Sequence, residues 1–254
     1  MRLHAVVAPI ALAAAFPWLA LGLGACGDSP MASPAPVCGS PQVGQLFPHT
    51  QCGATLDFTP INRYDGDIVG VQDREDAVVL IGGTCTGTLI AAVAGPVVLT
   101  AGHCVGLGDQ TQLAFNVEAD PDGDTLVTNG TVIEQSAEPD YALIQLDQLP
   151  ASTPTPLTTQ PTDRLAIIQH PRGGPKVIAE GDFLIDCDGQ ISYGDLDTLV
   201  GSSGAGVLTQ HGYLYGVHTD GDCAENGTGS NTGWSAARIV ESSAYLVPAD
   251  IADR

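Results

Sequence analysis

A serine in a short glycine-rich turn is the residue whose setting most clearly suggests chemistry. Residues 201–207 read Gly-Ser-Ser-Gly-Ala-Gly-Val and follow the strand-like residues 198–200. Glycines accept backbone angles that other residues resist, and they leave room for a substrate. The same turn can direct the amides of Gly201 and Ser203 at one point, as an oxyanion hole requires. A serine hydroxyl is a weak nucleophile without a nearby base, so the base must come from another segment.

Two upstream segments carry a base and an acid that could orient it. Residues 99–104 read Leu-Thr-Ala-Gly-His-Cys, and residues 140–146 read Asp-Tyr-Ala-Leu-Ile-Gln-Leu. A histidine can take the proton of a hydroxyl and return it to a leaving amine, while a carboxylate orients the imidazole. In the order histidine, aspartate, serine, these segments resemble the chymotrypsin-like (trypsin-fold) serine proteases, over roughly residues 78–240.

This resemblance implies both a fold and a reaction. The implied fold class is all-β, with two antiparallel six-stranded barrels of the trypsin-like type and the active site in the cleft between them. The implied function is a serine endopeptidase that hydrolyses peptide bonds through an acyl-enzyme. Ser203 would be the nucleophile, His103 the base and Asp140 the orienting acid, with the amides of Gly201 and Ser203 as the oxyanion hole. A non-catalytic binding or adhesion lipoprotein of the same fold is the alternative, and the complete set of three residues speaks against it.

Neighbouring residues compete for two of these roles. Ser203 is preferred to Ser202 because it stands two residues after the oxyanion-hole glycine and directly before another glycine. Asp140 is preferred to the other acidic residues nearby because it alone begins an Ala-Leu-Ile strand in the family manner. Those rivals are Asp120, Asp122, Asp124 and Asp147.

The residues around the nucleophile narrow the resemblance to the bacterial glutamyl endopeptidase branch. In that branch a threonine five residues before the nucleophile and a histidine in a Gly-Val-His-Thr-like strand contact the P1 carboxylate. Thr198 and His218 match these positions. Asp197, however, lies where trypsins place the acid that binds Arg or Lys. We expect Glu at P1 if Asp197 points away from the pocket, and Arg or Lys if it points inwards; the first is favoured. A core histidine satisfied by hydrogen bonds is the structural alternative for His218.

One position departs from the family pattern. Relatives activated by cleavage carry an aspartate directly before the nucleophile, which pairs with the new α-amino group. Ser202 stands there in this chain. Residues 68–70, Ile-Val-Gly, slightly resemble such a mature N-terminus. Since its partner is missing, we predict that this activation switch is absent.

Composition indicates an exported β protein. The chain has 254 residues, with 31 glycines and 18 prolines, and this favours short strands joined by tight turns. Its net charge of −21, from 29 acidic and 8 basic residues, argues against nucleic acid or anionic lipid as a partner. We expect a monomer that acts on a protein or peptide substrate.

The N-terminus has the features of a targeting segment. A basic start precedes an apolar run over residues 5–23, and the run ends in Leu-Gly-Ala-Cys at Cys26. This end resembles the lipobox of bacterial lipoproteins, which implies a signal peptide over residues 1–25 and a lipid on Cys26. An ordinary secretory signal cut near Ala25 is the alternative. The expected location is the bacterial cell envelope, anchored by lipid and facing outwards from the outer membrane, or the extracellular medium.

Six cysteines remain for disulfides when Cys26 is set aside. An even number in an exported chain indicates up to three bridges, but six cysteines allow fifteen pairings. The family resemblance implies a bridge between Cys85 and Cys104, beneath the histidine. For the remaining four cysteines, the pairs Cys187–Cys223 and Cys38–Cys52 are then expected.

The chain divides into a tether, two barrels and a linker. A Pro-, Ser- and Gly-rich tether is predicted over residues 26–60, the N-terminal barrel over 61–149, the linker over 150–163 and the C-terminal barrel over 164–254. A C-terminal helix is weakly indicated within 235–245. Predicted strands of the second barrel cover residues 165–168, 176–179, 182–185, 199–200, 207–208 and 213–218, with a closing stretch at 236–240.

No cofactor is expected for this chemistry. The residues Asp120, Asp122 and Asp124 alternate along the chain, and three such carboxylates suit a hard cation such as Ca²⁺. The ordinary interpretation of the same residues is a solvated acidic hairpin tip.

Overall fold

The computed structural model describes residue 38, residues 50–223 and residues 228–252. The predicted signal peptide, Cys26 and most of the predicted tether lie outside these residues. Within the described part of the chain, no helix has both the length and the apolar character to cross a membrane.

The first half forms a closed antiparallel barrel. The elements of this half of the chain are β1 (Thr59–Pro60), α1 (Val71–Glu75), β2 (Val78–Ile81), β3 (Cys85–Ile90), β4 (Val97–Thr100), β5 (Gln110–Phe115), β6 (Leu126–Ala137) and β7 (Asp140–Leu146). The barrel order is β2-β3-β4-β7-β6-β5. Strand β2 is apolar throughout because Val79 and Ile81 pack in the interior of this barrel, whereas Val78 packs in a cluster shared with the second half.

The second half closes in the same way. Its elements are β8 (Arg164–Gln169), β9 (Val177–Cys187), β10 (Gln190–Gly194), β11 (Gly206–Thr209), β12 (Leu214–Gly221), β13 (Asn231–Ser235) and α2 (Ala236–Ser242). Strand β8 pairs with both β9 and β11, which closes the order β8-β9-β10-β13-β12-β11, and β1 pairs with β9. The all-β architecture of two six-stranded antiparallel barrels predicted from the sequence is therefore confirmed.

Several strand predictions in the second half are wrong in detail. Residues 176–179 and 182–185 were expected to form separate strands, but β9 runs through both. The residue between the two predicted strands, Gly181, has to be a glycine, because a Cβ there would overlap the carbonyl of Gly194. Residues 199–200 lie in a turn rather than a strand, since the Ser202 amide donates to the Leu199 carbonyl over 2.9 Å.

The chain also ends differently from the predicted closing strand. Residues 236–240 belong to α2, which agrees with the weakly indicated C-terminal helix. The side chain of Ser235 accepts from the Arg238 amide and caps this helix. Strands β10 and β13 were missed because their polar and glycine-rich sequences carry little apolar periodicity.

Only one of the three predicted disulfides is correct. Cys85 is bonded to Cys104, as expected, but Cys38 is bonded to Cys187 and Cys52 to Cys223. Residues 50–60, at the end of the predicted tether, pack on the C-terminal barrel. Strand β1 pairs with β9, and Cys52 is buried. Both N-terminal cysteines therefore lie beside the second barrel and pair with it.

A buried ionic cluster joins the two barrels. Lys176 is fully buried, and its Nζ lies 2.6 Å from Glu118 Oε1 and also contacts Glu75 Oε2. Burial raises the pKa of Glu75. Burial opposes ionisation of Glu118 as well, but hydrogen bonds with Lys176 and Glu75 outweigh it and lower the pKa of Glu118. The pKa values of the two carboxyl groups that face Lys176 are therefore shifted in opposite directions, and Glu118 is the one that favours the charged form.

Removing the lysine should destabilise the protein strongly. The Lys176→Met variant leaves a buried carboxylate without its cation, and we expect a loss of about 3–5 kcal/mol in the free energy of unfolding. Arg164→Met is the matched control, because Arg164 pairs with Asp182 at the surface and such pairs are worth about 0–1 kcal/mol. Equilibrium denaturation measures both variants. Equal losses would show that the buried cluster does not stabilise the fold.

Candidate active site

His103 and Asp140 are brought together by two paired strands of the first barrel. His103 lies in a 3-10 turn, Gly102–Cys104, that follows β4, and Asp140 is the first residue of β7. Because Thr100 of β4 pairs with Ala142 of β7, the ends of these strands are adjacent. His103 Nδ1 lies 2.7 Å from Asp140 Oδ2, and the His103 amide donates to Asp140 Oδ1 over 3.0 Å. One carboxylate thus fixes both the ring and the backbone of the histidine.

The residues around this pair set the ionisation of the histidine. The hydrogen bond with Asp140 raises the pKa of His103, partial burial opposes it, and the negative charges of Asp140 and Asp220 raise it further. The imidazole side chain is 46% exposed, whereas that of Asp140 is 16% exposed. The acid therefore lies behind the ring, and the ring faces the solvent-accessible side.

Two features that the sequence analysis did not identify hold the turn of His103 in place. A Cβ at Gly102 would lie 2.8 Å from Asp140 Oδ1 and 2.8 Å from the Tyr141 carbonyl, so only glycine allows this close approach. The side-chain amide of Gln135 donates to the Gly102 carbonyl over 2.7 Å and to the Val105 carbonyl over 2.8 Å. Nothing in the local sequence around Gln135 indicates this role, because strand pairing alone brings it there.

The two candidate serines have different environments. Ser202 is fully buried, and its hydroxyl accepts from the Leu199 amide over 3.0 Å, which closes a turn. Ser203 is only partly buried. Its carbonyl accepts from the Thr86 amide over 2.9 Å and lies 3.7 Å from Cys104 Sγ, next to His103. No hydrogen bond joins the Ser203 hydroxyl to His103 among the described residues; such bonds often tighten only when substrate binds.

The backbone of the same loop leaves two amides free. The Gly201 and Ser203 amides donate to no acceptor among the residues that the structure describes. The carbonyl of Val200 accepts from the Arg172 amide over 2.5 Å. Since the carbonyl and amide of a trans peptide point in opposite directions, this bond turns the Gly201 amide away from Arg172. Gly201 has a φ of 100°, which other residues rarely adopt.

The carboxylate of Asp197 is turned towards the N-terminal segment of the chain. Asp197 is buried, and its carboxylate accepts from the Cys52 amide over 2.7 Å and from the Asp57 amide over 2.6 Å. Burial raises the pKa of Asp197, and these bonds oppose that shift. Both carboxylate oxygens are thus occupied by the N-terminal segment, residues 50–57. The Thr198 hydroxyl also faces this segment, since it donates to the Thr50 carbonyl over 3.3 Å.

His218 lies on β12 and is held from behind by a tyrosine. Its Nδ1 lies 2.6 Å from the hydroxyl of Tyr193, and that hydroxyl donates to the Thr232 carbonyl over 3.0 Å. A hydroxyl has one proton, so the tyrosine oxygen must accept from an Nδ1–H of His218. Burial lowers the pKa of His218 to about 3. The ring is therefore neutral, and its Nε2 has a lone pair rather than a proton.

The three alternating aspartates do not form one group. Asp120 is paired with Arg63 at 2.5 Å. Asp122 lies instead close to Glu75 and Asp76, so that one oxygen of each falls within 4.8 Å of the others. The Ca²⁺ site that the sequence offers at Asp120, Asp122 and Asp124, as the alternative to a solvated hairpin tip, is not tested by this arrangement.

Comparisons with known proteins agree with this architecture. A family model described as a trypsin-like peptidase domain matches residues 85–217. The serine endoprotease from Yersinia pestis aligns with a TM-score of 0.55 and 15% identity, over 70% of this chain and 65% of that chain. An inactive form of the Mycobacterium tuberculosis protease Rv3671c aligns with a TM-score of 0.55 and 16% identity, over 73% of this chain and 96% of that one. A human astrovirus serine protease aligns with a TM-score of 0.50 and 18% identity, over 71% and 95% of the two chains.

These similarities define the class of the protein. At such low identity, the solved structures establish the fold: that of the trypsin-like serine proteases. The family match covers more than half of the chain, and the chain belongs to the trypsin-like peptidase domain family. Among curated proteins, none matches its sequence significantly.

Proposed function

We propose that the protein is a serine endopeptidase in which Ser203, His103 and Asp140 form the catalytic triad. The observation that carries this proposal is the contact between His103 and Asp140, whose Nδ1 and Oδ2 atoms are 2.7 Å apart. His103 lies on a turn that also contacts the Ser203 carbonyl, through Cys104 Sγ. The buried hydroxyl of Ser202 is already used within its own turn, which supports Ser203 as the nucleophile. The serine protease fold and the family membership support the same reaction class.

The reaction follows from the placement of these groups. The Ser203 hydroxyl adds to the scissile carbonyl carbon while its proton passes to Nε2 of His103. The amides of Gly201 and Ser203 hold the negative oxygen of the tetrahedral intermediate. When the carbon–nitrogen bond breaks, His103 returns the proton to the amine that leaves. Water then cleaves the acyl-enzyme by the same route, and Asp140 stabilises the imidazolium in both halves.

Covalent labelling tests this assignment directly. A fluorophosphonate probe should modify Ser203 in the wild-type protein, and peptide mapping should locate the modification there. The His103→Ala variant should react far more slowly, because the hydroxyl then lacks its base. Modification at another residue, or the same labelling rate in the variant, would contradict the proposal.

We further propose that His218 recognises a glutamate at P1. Asp197 supports this choice over Arg or Lys because its carboxylate is bound to the amides of Cys52 and Asp57. The neutral His218 offers a lone pair at Nε2, and a P1 carboxylate offers only acceptors. A glutamate therefore binds together with one proton, which makes the imidazole cationic and pairs it with the carboxylate.

This coupling predicts a pH dependence that differs between substrates. Paired peptides with Glu or Gln at P1 should be compared from about pH 5 to pH 9. The Gln side chain can donate to Nε2 without taking up a proton, whereas the Glu complex loses its proton as the pH rises. The ratio of kcat/KM for Glu over Gln should therefore fall by about tenfold per unit of pH between the low pKa of free His218 and the higher pKa of the bound pair, and should level off above the latter. The protonation of His103 affects both substrates and cancels in the ratio.

The matched variant is Asp197→Asn, which keeps the shape of the side chain that faces the N-terminal segment. Its P1 profile should resemble that of the wild type, since Asp197 does not supply charge to the pocket. A library profile dominated by Arg or Lys, and abolished by this variant, would overturn the pocket assignment. A pH-independent Glu/Gln ratio would contradict the proton coupling alone.

A further inference from the structure

The carbonyls of the nucleophile loop are held by one threonine of the opposite barrel. Thr86, on β3, donates from its amide to the Ser203 carbonyl over 2.9 Å and from its hydroxyl to the Gly201 carbonyl over 2.8 Å. We propose that Thr86 is a positioning residue for catalysis, which fixes the peptide that follows the oxyanion-hole glycine, Gly201, and the approach of Ser203 to His103. This inference rests on the proposed serine endopeptidase function.

The direction of the hydroxyl bond is determined by its partners. Thr86 Oγ1 accepts from the His170 amide over 3.0 Å, so its own proton is free for the Gly201 carbonyl, which can only accept. The Thr86 carbonyl in turn accepts from the Thr100 hydroxyl over 2.7 Å. Thr86, Thr100 and His170 are all fully buried, so water cannot replace these bonds. Each polar atom of Thr86 therefore has a defined partner.

The position of Thr86 links it to both halves of the reaction. Its neighbour Cys85 is bonded to Cys104, which follows His103. The same end of β3 therefore holds the base through a disulfide and the nucleophile through hydrogen bonds. A Cβ at Gly204 would overlap Thr100 Oγ1 and the Thr86 carbonyl, so the nucleophile loop lies directly against these strands. A shift of this contact would change the distance between serine and histidine.

The loop is also held from its other side. The Arg172 amide binds the carbonyl of Val200, and Thr86 binds the next carbonyl, that of Gly201. With both carbonyls fixed, the peptides on either side of Gly201 are fixed, and the Gly201 amide keeps the orientation in which it is free; the Ser203 amide shares its peptide with the Ser202 carbonyl, which accepts from the Ala205 amide over 3.0 Å. Ser202 occupies the position where cleavage-activated relatives carry an aspartate, so this chain lacks that charge as a means of ordering the loop. In this chain an uncharged group, the hydroxyl of Thr86, orders the loop through its hydrogen bond with the Gly201 carbonyl.

The test uses variants that separate the hydroxyl of Thr86 from its methyl group. Thr86→Val keeps the shape of the side chain and removes the donor, and we expect kcat to fall by about 100-fold with KM unchanged. Thr86→Ser retains the hydroxyl and should recover most of the lost activity. Thr88→Val is the matched control: Thr88 is buried on the same strand, and its hydroxyl accepts from the Gly206 amide over 3.2 Å without touching the carbonyl of Gly201 or Ser203.

Steady-state kinetics, fluorophosphonate labelling rates and denaturation midpoints should be measured on all three variants and on the wild type. The proposal predicts a kcat loss in Thr86→Val far beyond that in Thr88→Val, even where the two lose similar stability. Equal kcat losses in the two valine variants, or no recovery with serine, would overturn the positioning role while the protease activity stands. A wild-type protein that neither hydrolyses peptides nor labels at Ser203 would overturn the proposed function and this inference together.

Discussion

Replacing Ser203 by alanine is expected to lower kcat by about 10⁶-fold, the loss seen when the nucleophile is removed from other triads. The reason is that Ser203 is partly exposed and its backbone lies against the His103 turn, whereas its neighbour Ser202 is buried and bonded to Leu199. Hydrolysis of a fluorogenic peptide library, followed by single-turnover measurements of acyl-enzyme formation, gives the rate. The denaturation midpoint should stay close to that of the wild type because the Ser203 hydroxyl has no hydrogen-bond partner within the part of the chain that the structure describes.

Ser202→Ala provides the comparison for this variant. It removes the hydroxyl that accepts from the Leu199 amide and should cost about 1–3 kcal/mol of stability through the unpaired donor. It should still form the acyl-enzyme, with a much smaller loss in kcat than Ser203→Ala. The reverse result, in which Ser202→Ala is inert and Ser203→Ala turns over, would move the nucleophile to the neighbouring residue.

The candidate triad could be found from the sequence because each member is carried by a local pattern. His103 follows an apolar strand and precedes a cysteine, Asp140 begins an apolar strand, and Ser203 lies among glycines. Such patterns persist because strand ends and tight turns constrain neighbouring residues in the chain. The order of the three along the chain then separates this fold from others with the same chemistry.

The residues that support the site could not be found in this way. Thr86 and Gly201 are 115 positions apart, and Tyr193 reaches His218 across 25. These contacts exist only after the barrels have closed and packed against each other. A threonine or tyrosine within an apolar strand has the same local signature whether its hydroxyl binds the nucleophile loop or another part of the core. The sequence therefore predicts the presence of a polar group but not its partner.

The disulfide pairing illustrates the same limit. The bridge that was predicted correctly, Cys85–Cys104, spans 19 residues, whereas the two bridges that the prediction missed span 149 and 171. Their prediction required knowing that residues 50–57 return to the C-terminal barrel. That return depends on Asp197, whose buried carboxylate binds the Cys52 and Asp57 amides. An aspartate that trypsins would place in the pocket is used here to attach the N-terminal segment.

Asp140→Asn should lower kcat by about 10⁴-fold while leaving the fold intact. Asparagine can still accept from the His103 amide, but its NH₂ group would face Nδ1 and require a lone pair there. The ring would then carry its proton on Nε2, the atom that must accept the proton of Ser203. Because Asp140 also raises the pKa of His103, the rise of activity with pH should move to lower pH in the variant.

Asp220→Asn separates orientation from charge in this prediction. Asp220 also raises the pKa of His103, but only through its charge, since no hydrogen bond joins the two residues in the described part of the chain. Its variant should therefore shift the pH profile slightly downwards with little change in the limiting kcat, whereas Asp140→Asn changes both. If the two variants had the same limiting kcat, Asp140 would act on His103 through charge alone, and the tautomer would not control the reaction. A large loss confined to Asp140→Asn instead identifies the Nδ1 bond as the contact that prepares His103 to act as a base.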